Sequence, residues 1–301
     1  MVELTLSEKR IKGLTAFQIK VIALVIMTLD HIGAFAFEIP IVAQYEGYLR
    51  RIGRLAAPLF LFLLVQSIRH TRNKPKFILR LYLAGMCVEL FVTVMNFLIG
   101  ETFSYFTPGN IIFTFFYIAL YAVLFERIID AWKKKDVQIL VSSALFLMLS
   151  LIPTLLSLFD VFHHVCVAIS PNPSTRTIFL INGLWNSLLP SFNSIDYGIG
   201  LVILGLIMYF AKTKGKQCAA FLIFCLVCFV GSIVAPGKLF ELQSFGFFMT
   251  FFDRFQCQMV FALPIMLLYN GEPGRKCKWF FYGYYPLHRE LIYLIGELFA
   301  G

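Results

Sequence analysis

The hydrophobic positions of this chain fall in long, nearly unbroken runs. They show neither the strict alternation of a half-buried strand nor the narrow stripe of a soluble amphipathic helix. About 20 mostly apolar residues are needed to cross the hydrocarbon core of a bilayer. Nine segments approach that length, some narrowly: about 17–38, 50–68, 78–99, 110–127, 137–159, 195–211, 218–234, 248–269 and 279–299. The pattern predicts an all-α polytopic membrane protein with about nine transmembrane helices, in a range of eight to eleven. No internal repeat or low-complexity tract divides it, so 1–301 reads as a single membrane domain.

The polar residues between the runs set an orientation. With residues 9–20 in the cytoplasm, the basic loops "IRHTRNKPKFILR", "ERIIDAWKKKD", "AKTKGKQ" and "NGEPGRKCK" all fall on one side. The opposite segments 38–49, 100–109, 160–194 and 235–247 hold only Arg176 and Lys238. The positive-inside rule therefore predicts a cytoplasmic N-terminus and a C-terminus outside. Within 160–194, "TIFLINGLWNSLLP" predicts a re-entrant or surface helix. The N-terminal stretch imitates a signal peptide, with Lys9, Arg10, Lys12 and Lys20, an apolar run and "AFA" at 34–36. Asp30 and His31 interrupt that run, so a retained first helix is expected.

Composition supports the membrane reading: 59% of residues are hydrophobic, 34 are Phe and only 14% are charged, against about 25% charged in soluble domains. The net charge of +9 is explained by the loops, and no basic-aromatic patch outside the spans suggests nucleic acid. The seven Cys are odd in number and sit mostly in apolar runs. Cys225-x-x-Cys228 lies in "FLIFCLVCFV" and reads as packing. His163-His164 has no ligand-spaced companion, and no Gly-rich phosphate loop, G-x-S-x-G or H-E-x-x-H is present, so no metal is expected.

Candidate chemistry comes from charges that interrupt the runs. Asp at a helix centre costs about 2.5–3.5 kcal/mol on insertion scales, so Asp30 and His31 are expected to face an interior or a wet cavity. Neighbours on a helix point about 100° apart, so Asp30 is free to pair with an Arg of the next span while His31 acts as general base. The plainer reading is a polar pair that fixes packing. In "YLRRIGRLAAPLF", Arg50, Arg51 and Arg54 stack along one helix side, and Pro58 leaves the Arg54 carbonyl without its donor. Snorkelling to headgroups suits Arg50 better than the deeper Arg54. The loop with Arg69, Arg72, Lys74, Lys76 and Arg80 either grips phosphates or serves topology alone. In "WFFYGYYPLHRELIYLIGELF", His288, Arg289 and Glu290 fall near mid-membrane after Pro286, and His288 is a second acid–base group, a substrate contact or a satisfied interior histidine. Glu89, Asn110 and Asp253-Arg254 are weaker candidates.

The stretches "KVIALVIMTLDHIG", "RRIGRLAAPLFLFLLVQSIRHTRNK" and "LPIMLLYNGEPGRKCKWFFYGYYPLH", in that order, resemble the TraX family. These are bacterial inner-membrane proteins named for N-terminal acetylation of conjugative pilin. The resemblance covers both ends of the chain, and the centre mainly by hydropathy. The family is in turn similar to a wider group of transmembrane acyltransferases that includes the acyltransferase-3 enzymes and the heparan glucosaminide acetyltransferases. That resemblance implies an acyl-CoA donor, acetyl-CoA in the simplest case, entering from the cytoplasm. It also implies an acceptor on the far side and a catalytic histidine on an early helix. His31 stands at the matching position, and Arg51 and Arg54 match the arginine-rich element. Arg289-Glu290 departs from the apolar residues expected after "YPLH". Nothing in the sequence ties the chain to a pilin, so a protein N-terminus and a cell-surface glycan both remain open as acceptor.

These readings assign His31, Asp30 and Arg54 to catalysis, Arg51, Arg69, Arg72 and Lys74 to the donor, and His288 and Tyr285 to the acceptor. The expected function is a multi-pass acyltransferase of the bacterial cytoplasmic membrane, by direct transfer or through an acyl-histidine. Its competitors are an ion-coupled transporter or flippase, since intramembrane Asp, His and Glu also build proton relays, and a structural partner in a secretion or conjugation apparatus.

Overall fold

Thr15 starts the first helix with a capping box. Its hydroxyl accepts from Gln18 N at 3.3 Å, and the Gln18 side chain accepts from Thr15 N at 2.9 Å. Two further amides of that first turn are satisfied from the other end of the chain: Ala16 N donates to Glu272 O at 2.8 Å and Phe17 N to Pro273 O at 3.2 Å. Leu14 pairs beside them with Leu268 and Asn270. The "NGEPGRK" loop is thus a clamp on α1 (Ala16–Phe35), and the last helix, which leaves that loop, runs along α1 in the same direction.

The computed structural model describes residues 13–36, 39–99, 109–169, 174–234 and 256–300. Among them the chain is all-helical. After α1 come α2 (Pro40–Gly53), α3 (Ala56–His70), α4 (Lys74–Ile99), α5 (Ile111–Lys134), α6 (Val137–Ser150), α7 (Ile152–Leu158), α8 (Val161–Ile169), α9 (Thr175–Leu188), α10 (Gly198–Phe210) and α11 (Lys214–Val234). A 3-10 turn (Gln256–Ala262) leads into α12 (Leu263–Leu267), and α13 (Lys278–Ala300) closes the chain. The core joins α3, α5 and α10 through Leu59, Phe62, Phe113, Ile118, Leu201 and Met208, while α6 and α11 turn Val141, Leu145, Ile223 and Leu226 outward. That outward apolar surface is what lipid contact requires.

Six helical segments are long and apolar enough to cross a membrane among the described residues, against nine expected from the sequence. The shortfall has local causes. The expected span 195–211 is helical only over Gly198–Phe210, 13 residues or about 20 Å. The expected span 279–299 is a continuous helix, Lys278–Ala300, but it is loaded with polar side chains. The expected span 248–269 is described only from residue 256, and Asp253-Arg254 lies outside the described residues. The segment 38–49, expected as a loop, mostly forms α2, with Pro40 at its first turn, where a missing N–H costs nothing. The span expected over 50–68 lies within one 31-residue helical segment, Pro40–His70, with a turn at Arg54-Leu55, and Pro58 falls in the first turn of α3. The helix expected at "TIFLINGLWNSLLP" is present as α9, packed on α4.

The basic loops gather at one end of the bundle. Arg69 donates to the carbonyls of Ala211 at 3.5 Å and Lys212 at 2.8 Å, just past the end of α10. Lys214 donates to Leu267 O at 2.8 Å and Tyr269 O at 2.9 Å. Lys74 pairs with Glu126 and donates to Tyr209 Oη at 3.1 Å, and Tyr209 donates to Glu126 at 2.6 Å. These cations hold helix ends together.

Candidate functional site

The site lies toward the opposite end, where α1 and α2 come into close contact. Gly53 permits it: a Cβ at Gly53 would stand 2.2 Å from Asp30 Cβ. With no side chain there, Arg50, one turn earlier on α2, brings Nη1 to 3.0 Å from Asp30 Oδ1 and 3.5 Å from the Asp30 carbonyl. At Oδ1 the contact is an ion pair without a well-formed hydrogen bond. The partner of Asp30 is therefore Arg50, the arginine read from sequence as a snorkelling residue. Arg51 points away, exposed, with its guanidinium 5.9 Å from the Tyr48 ring centroid. Arg54 occupies the break between α2 and α3, and its buried Nε has no hydrogen-bond partner.

A second wall comes from non-helical backbone. Residues 190–197 run irregularly into the bundle and are held by α5 and its cap. Asn110 N donates to Ser194 O at 3.2 Å, Thr114 donates to Asp196 O at 2.8 Å, and Tyr117 donates to Pro190 O. Phe192 N donates to Thr154 at 3.1 Å. Irregular backbone at membrane depth is tolerated where protein satisfies it or where it lines a cavity. Gly109 allows the approach, since a Cβ there would meet Asp196 backbone at 2.4 Å. The result places Asp196 beside Asn110, which also donates to Glu89 at 3.2 Å and to Gly85 O at 2.9 Å.

Between these walls is a cavity of about 170 Å³. Asp30, His31, Arg50, Arg54, Glu89, Asp196, Tyr285 and Arg289 all reach it. The third wall is α13. Arg289 is held by Glu290, which accepts from its Nε at 3.0 Å and its Nη2 at 2.6 Å. The Arg289-Glu290 pair that looked out of place in sequence thus supplies a cavity cation with its own buried counter-ion.

His288 stands behind the cavity wall, only 5% exposed, with Nε2 at 2.6 Å from His31 Nδ1 and Nδ1 at 2.8 Å from the Tyr284 carbonyl. One turn earlier Tyr284 Oη lies 2.7 Å from Thr28 Oγ1, which donates to Leu24 O at 2.8 Å. Two rungs, Tyr284–Thr28 and His288–His31, therefore join α13 to α1.

The structure brings together His31, Asp30, Arg54 and Tyr285 from the sequence assignment and adds Arg50, Glu89, Asp196 and Arg289. It moves His288 from the cavity surface to a place behind His31. Arg51, Arg69, Arg72 and Lys74 do not reach the cavity. Arg69 and Lys74 are engaged with carbonyls and with Glu126, whereas Arg72 is exposed at the basic end. Asp196 escaped the sequence reading because it opens an apolar run; its signal was the polar stretch "SFNSIDYG" just before a helix.

The family model described as "TraX protein" matches residues 16–170, which include α1 to α5 and their cavity residues. A protein of Dichelobacter nodosus, described as a probable fimbrial assembly protein (FimC, serogroup H1), is 42% identical over 81 residues. That alignment covers 27% of this chain and 32% of the relative, so the chain spans about a third of the curated relative's length. No solved structure matches. By the family match over half its length, the chain belongs to the TraX family.

Proposed function

We propose that this protein is a membrane-bound acyltransferase. It moves an acyl group, acetyl in the simplest case, from acyl-CoA on the side of the basic loops to an amine or hydroxyl at the cavity end. The observation that carries this reading is the disposition of His31. Its Nδ1 is committed to His288, and the residue lines the same cavity as Arg54, whose buried Nε is unpartnered. In the step proposed, the acceptor's lone pair attacks the thioester carbonyl while its proton passes to His31. Arg54 donates to the oxygen that becomes negative. Collapse of the intermediate expels the CoA thiolate, which takes up the proton from His31.

The two ends of the bundle suit that donor. α3 runs from the cavity to the basic end over 15 residues, about 22 Å, comparable to an extended pantetheine arm. Exposed Arg72, with exposed Lys76 and Arg80 of the same basic stretch, is left to meet the donor's phosphates, while Arg69 and Lys74 hold the surface around it. With the basic end in the cytoplasm, the cavity opens toward the outer side of a bacterial inner membrane. The relative's description as a fimbrial assembly protein makes a pilin-type N-terminus one acceptor to try, beside glycan hydroxyls.

The test uses the full chain in nanodiscs. Acetyl-CoA should raise its unfolding temperature, and His31→Ala should keep that rise while losing CoA release with amine or hydroxyl acceptors. No stabilisation by acetyl-CoA, or wild-type turnover in His31→Ala, refutes the proposal. The three cavity carboxylates Asp30, Glu89 and Asp196 favour a proton-coupled transporter as the second reading. Substrate-driven proton flux in proteoliposomes without CoA would select it.

A further inference from the structure

We infer that His288 is a positioning residue that locks His31 in its Nδ1–H tautomer, so that the bare Nε2 of His31 faces the cavity. The tautomer follows from geometry alone; its catalytic meaning rests on the proposed role of His31 as base. The direction of every bond in the pair follows from one group. The Tyr284 carbonyl can only accept, so His288 Nδ1, 2.8 Å away, carries the hydrogen. A neutral imidazole has one N–H, so His288 Nε2 is an acceptor. His31 Nδ1, 2.6 Å from it, must then be the donor. That leaves His31 Nε2 without hydrogen and, among the described residues, without a protein hydrogen bond.

Ring geometry agrees. The two imidazole centroids are 4.8 Å apart with planes 16° apart. Together with the short N–N distance, this sets the rings edge to edge in nearly one plane, as an N–H···N bond needs. His288 is itself fixed. Its ring stacks on Tyr284 at 4.8 Å and 9°. Tyr284 is anchored in turn, because the Thr28 hydroxyl hydrogen goes to Leu24 O, and Tyr284 Oη must donate to Thr28 Oγ1. Two carbonyls, Leu24 and Tyr284, thus set the sense of both rungs between α1 and α13.

The arrangement lets His31 accept a proton without moving. A proton arriving at Nε2 makes His31 an imidazolium whose Nδ1–H still donates to His288. That second proton can cross the 2.6 Å bond to His288 Nε2, which spreads one positive charge over two rings while His288 Nδ1–H keeps its carbonyl. The pair holds one extra proton in either form and returns it through His31 Nε2 to the leaving thiolate. Free histidine prefers the opposite tautomer, so the lock has work to do. Loss of tautomer control at a catalytic imidazole costs about 10⁴ in turnover where it has been isolated.

The test reads the tautomer directly. The full chain, labelled with ¹⁵N-histidine in nanodiscs, carries five His. Signals are assigned with His31→Gln and His288→Gln, and long-range ¹⁵N–¹H spectra separate the two tautomers. His31 should show Nδ1–H and a bare Nε2. In His288→Gln the amide oxygen takes the place of Nε2 as acceptor, so the tautomer should persist and turnover stay within about tenfold of wild type. In His288→Leu the tautomers should mix, with turnover falling about 10²-fold or more at unchanged KM for the acyl donor. An Nε2–H form of His31 in the wild type overturns the inference, as does an equal loss in both variants. A wild type that never transfers an acyl group refutes the proposed function instead, and the spectra still decide the tautomer.

Discussion

Gly53→Ala tests whether the cavity depends on the close approach of α1 and α2. The new Cβ would lie 2.2 Å from Asp30 Cβ and 2.3 Å from Oδ1. Carbon contacts need about 3.5–4.0 Å, so the helices must part by about 1.5 Å or the carboxylate must swing away. Either movement carries Asp30 out of ion-pair range of Arg50, which now sits at 3.0 Å. Overpacking costs about 1–3 kcal/mol, and breaking a buried pair costs about 3–5 kcal/mol. The pair is not fully buried, with side chains 30% and 16% exposed. The two effects also overlap, so a loss of about 2–3 kcal/mol is expected. Gly47→Ala, on the same helix, is the control. A Cβ there meets nothing within 4 Å, so relief of a mid-helix glycine should stabilise by about 0.5–1 kcal/mol. Thermal unfolding of the two variants in one detergent should therefore shift in opposite directions. A Gly53→Ala protein as stable as Gly47→Ala would refute the packing argument without reference to any activity.

Arg54→Lys should not rescue Arg54→Ala, because a mobile ammonium does not replace a planar donor. Both should lose about 10²–10³ in turnover, measured as CoA release, with little change in donor KM. Arg72→Ala should weaken acyl-CoA binding in a salt-dependent way, whereas Arg69→Ala should lower thermal stability by uncapping the end of α10; the reverse assignment in binding and melting assays would contradict the geometry. Asp30→Asn combined with Arg50→Gln should recover much of the stability lost in either single variant, while Asp30→Asn with Arg54→Gln should be closer to additive. A double-mutant cycle with the larger coupling at Arg54 would reassign the partner.

Much of the site was legible because ionisable side chains inside apolar runs are expensive and rarely accidental. Asp30, His31 and Arg54 were placed from that argument and from the family resemblance, and these three, with Tyr285, line one cavity. The choice between Arg50 and Arg51 was not legible. Adjacent helical residues diverge by about 100°, and which one meets α1 depends on Gly53 seating against Asp30. Nor could charge counting show that Arg69 and Lys74 are engaged. Loops at the ends of short helices leave carbonyls that need donors, and Arg69 supplies one, whereas Lys74 meets the Glu126 carboxylate that α5 brings to it. Hydropathy windows also count apolar residues without seeing interruptions. The left-handed Tyr197 before α10 shortens a run that composition alone extends to residue 195.

The charges around the cavity are better explained together than singly. Asp30 has Arg50, and Arg289 has Glu290. Asp196 accepts from the Tyr197 amide at 3.0 Å, and Glu89 accepts from Asn110 at 3.2 Å. A charge such as Asp30 or Arg289 would cost about 2.5–3.5 kcal/mol alone at a helix centre, and pairing offsets much of that cost without turning it into a gain. Well-packed apolar residues in place of buried ion pairs are often neutral or stabilising, so stability alone does not account for the cluster. Arg54 sharpens the point. Its buried Nε is left without a partner, and the residue lines the same cavity as His31, whose Nδ1 is committed to His288. A bundle built only to hold itself together would have closed that donor against a carbonyl, as it does with Arg69 and Lys214 at the other end. An unpaired buried nitrogen on a residue that lines the same cavity as His31 is the feature the proposed acyl transfer would use.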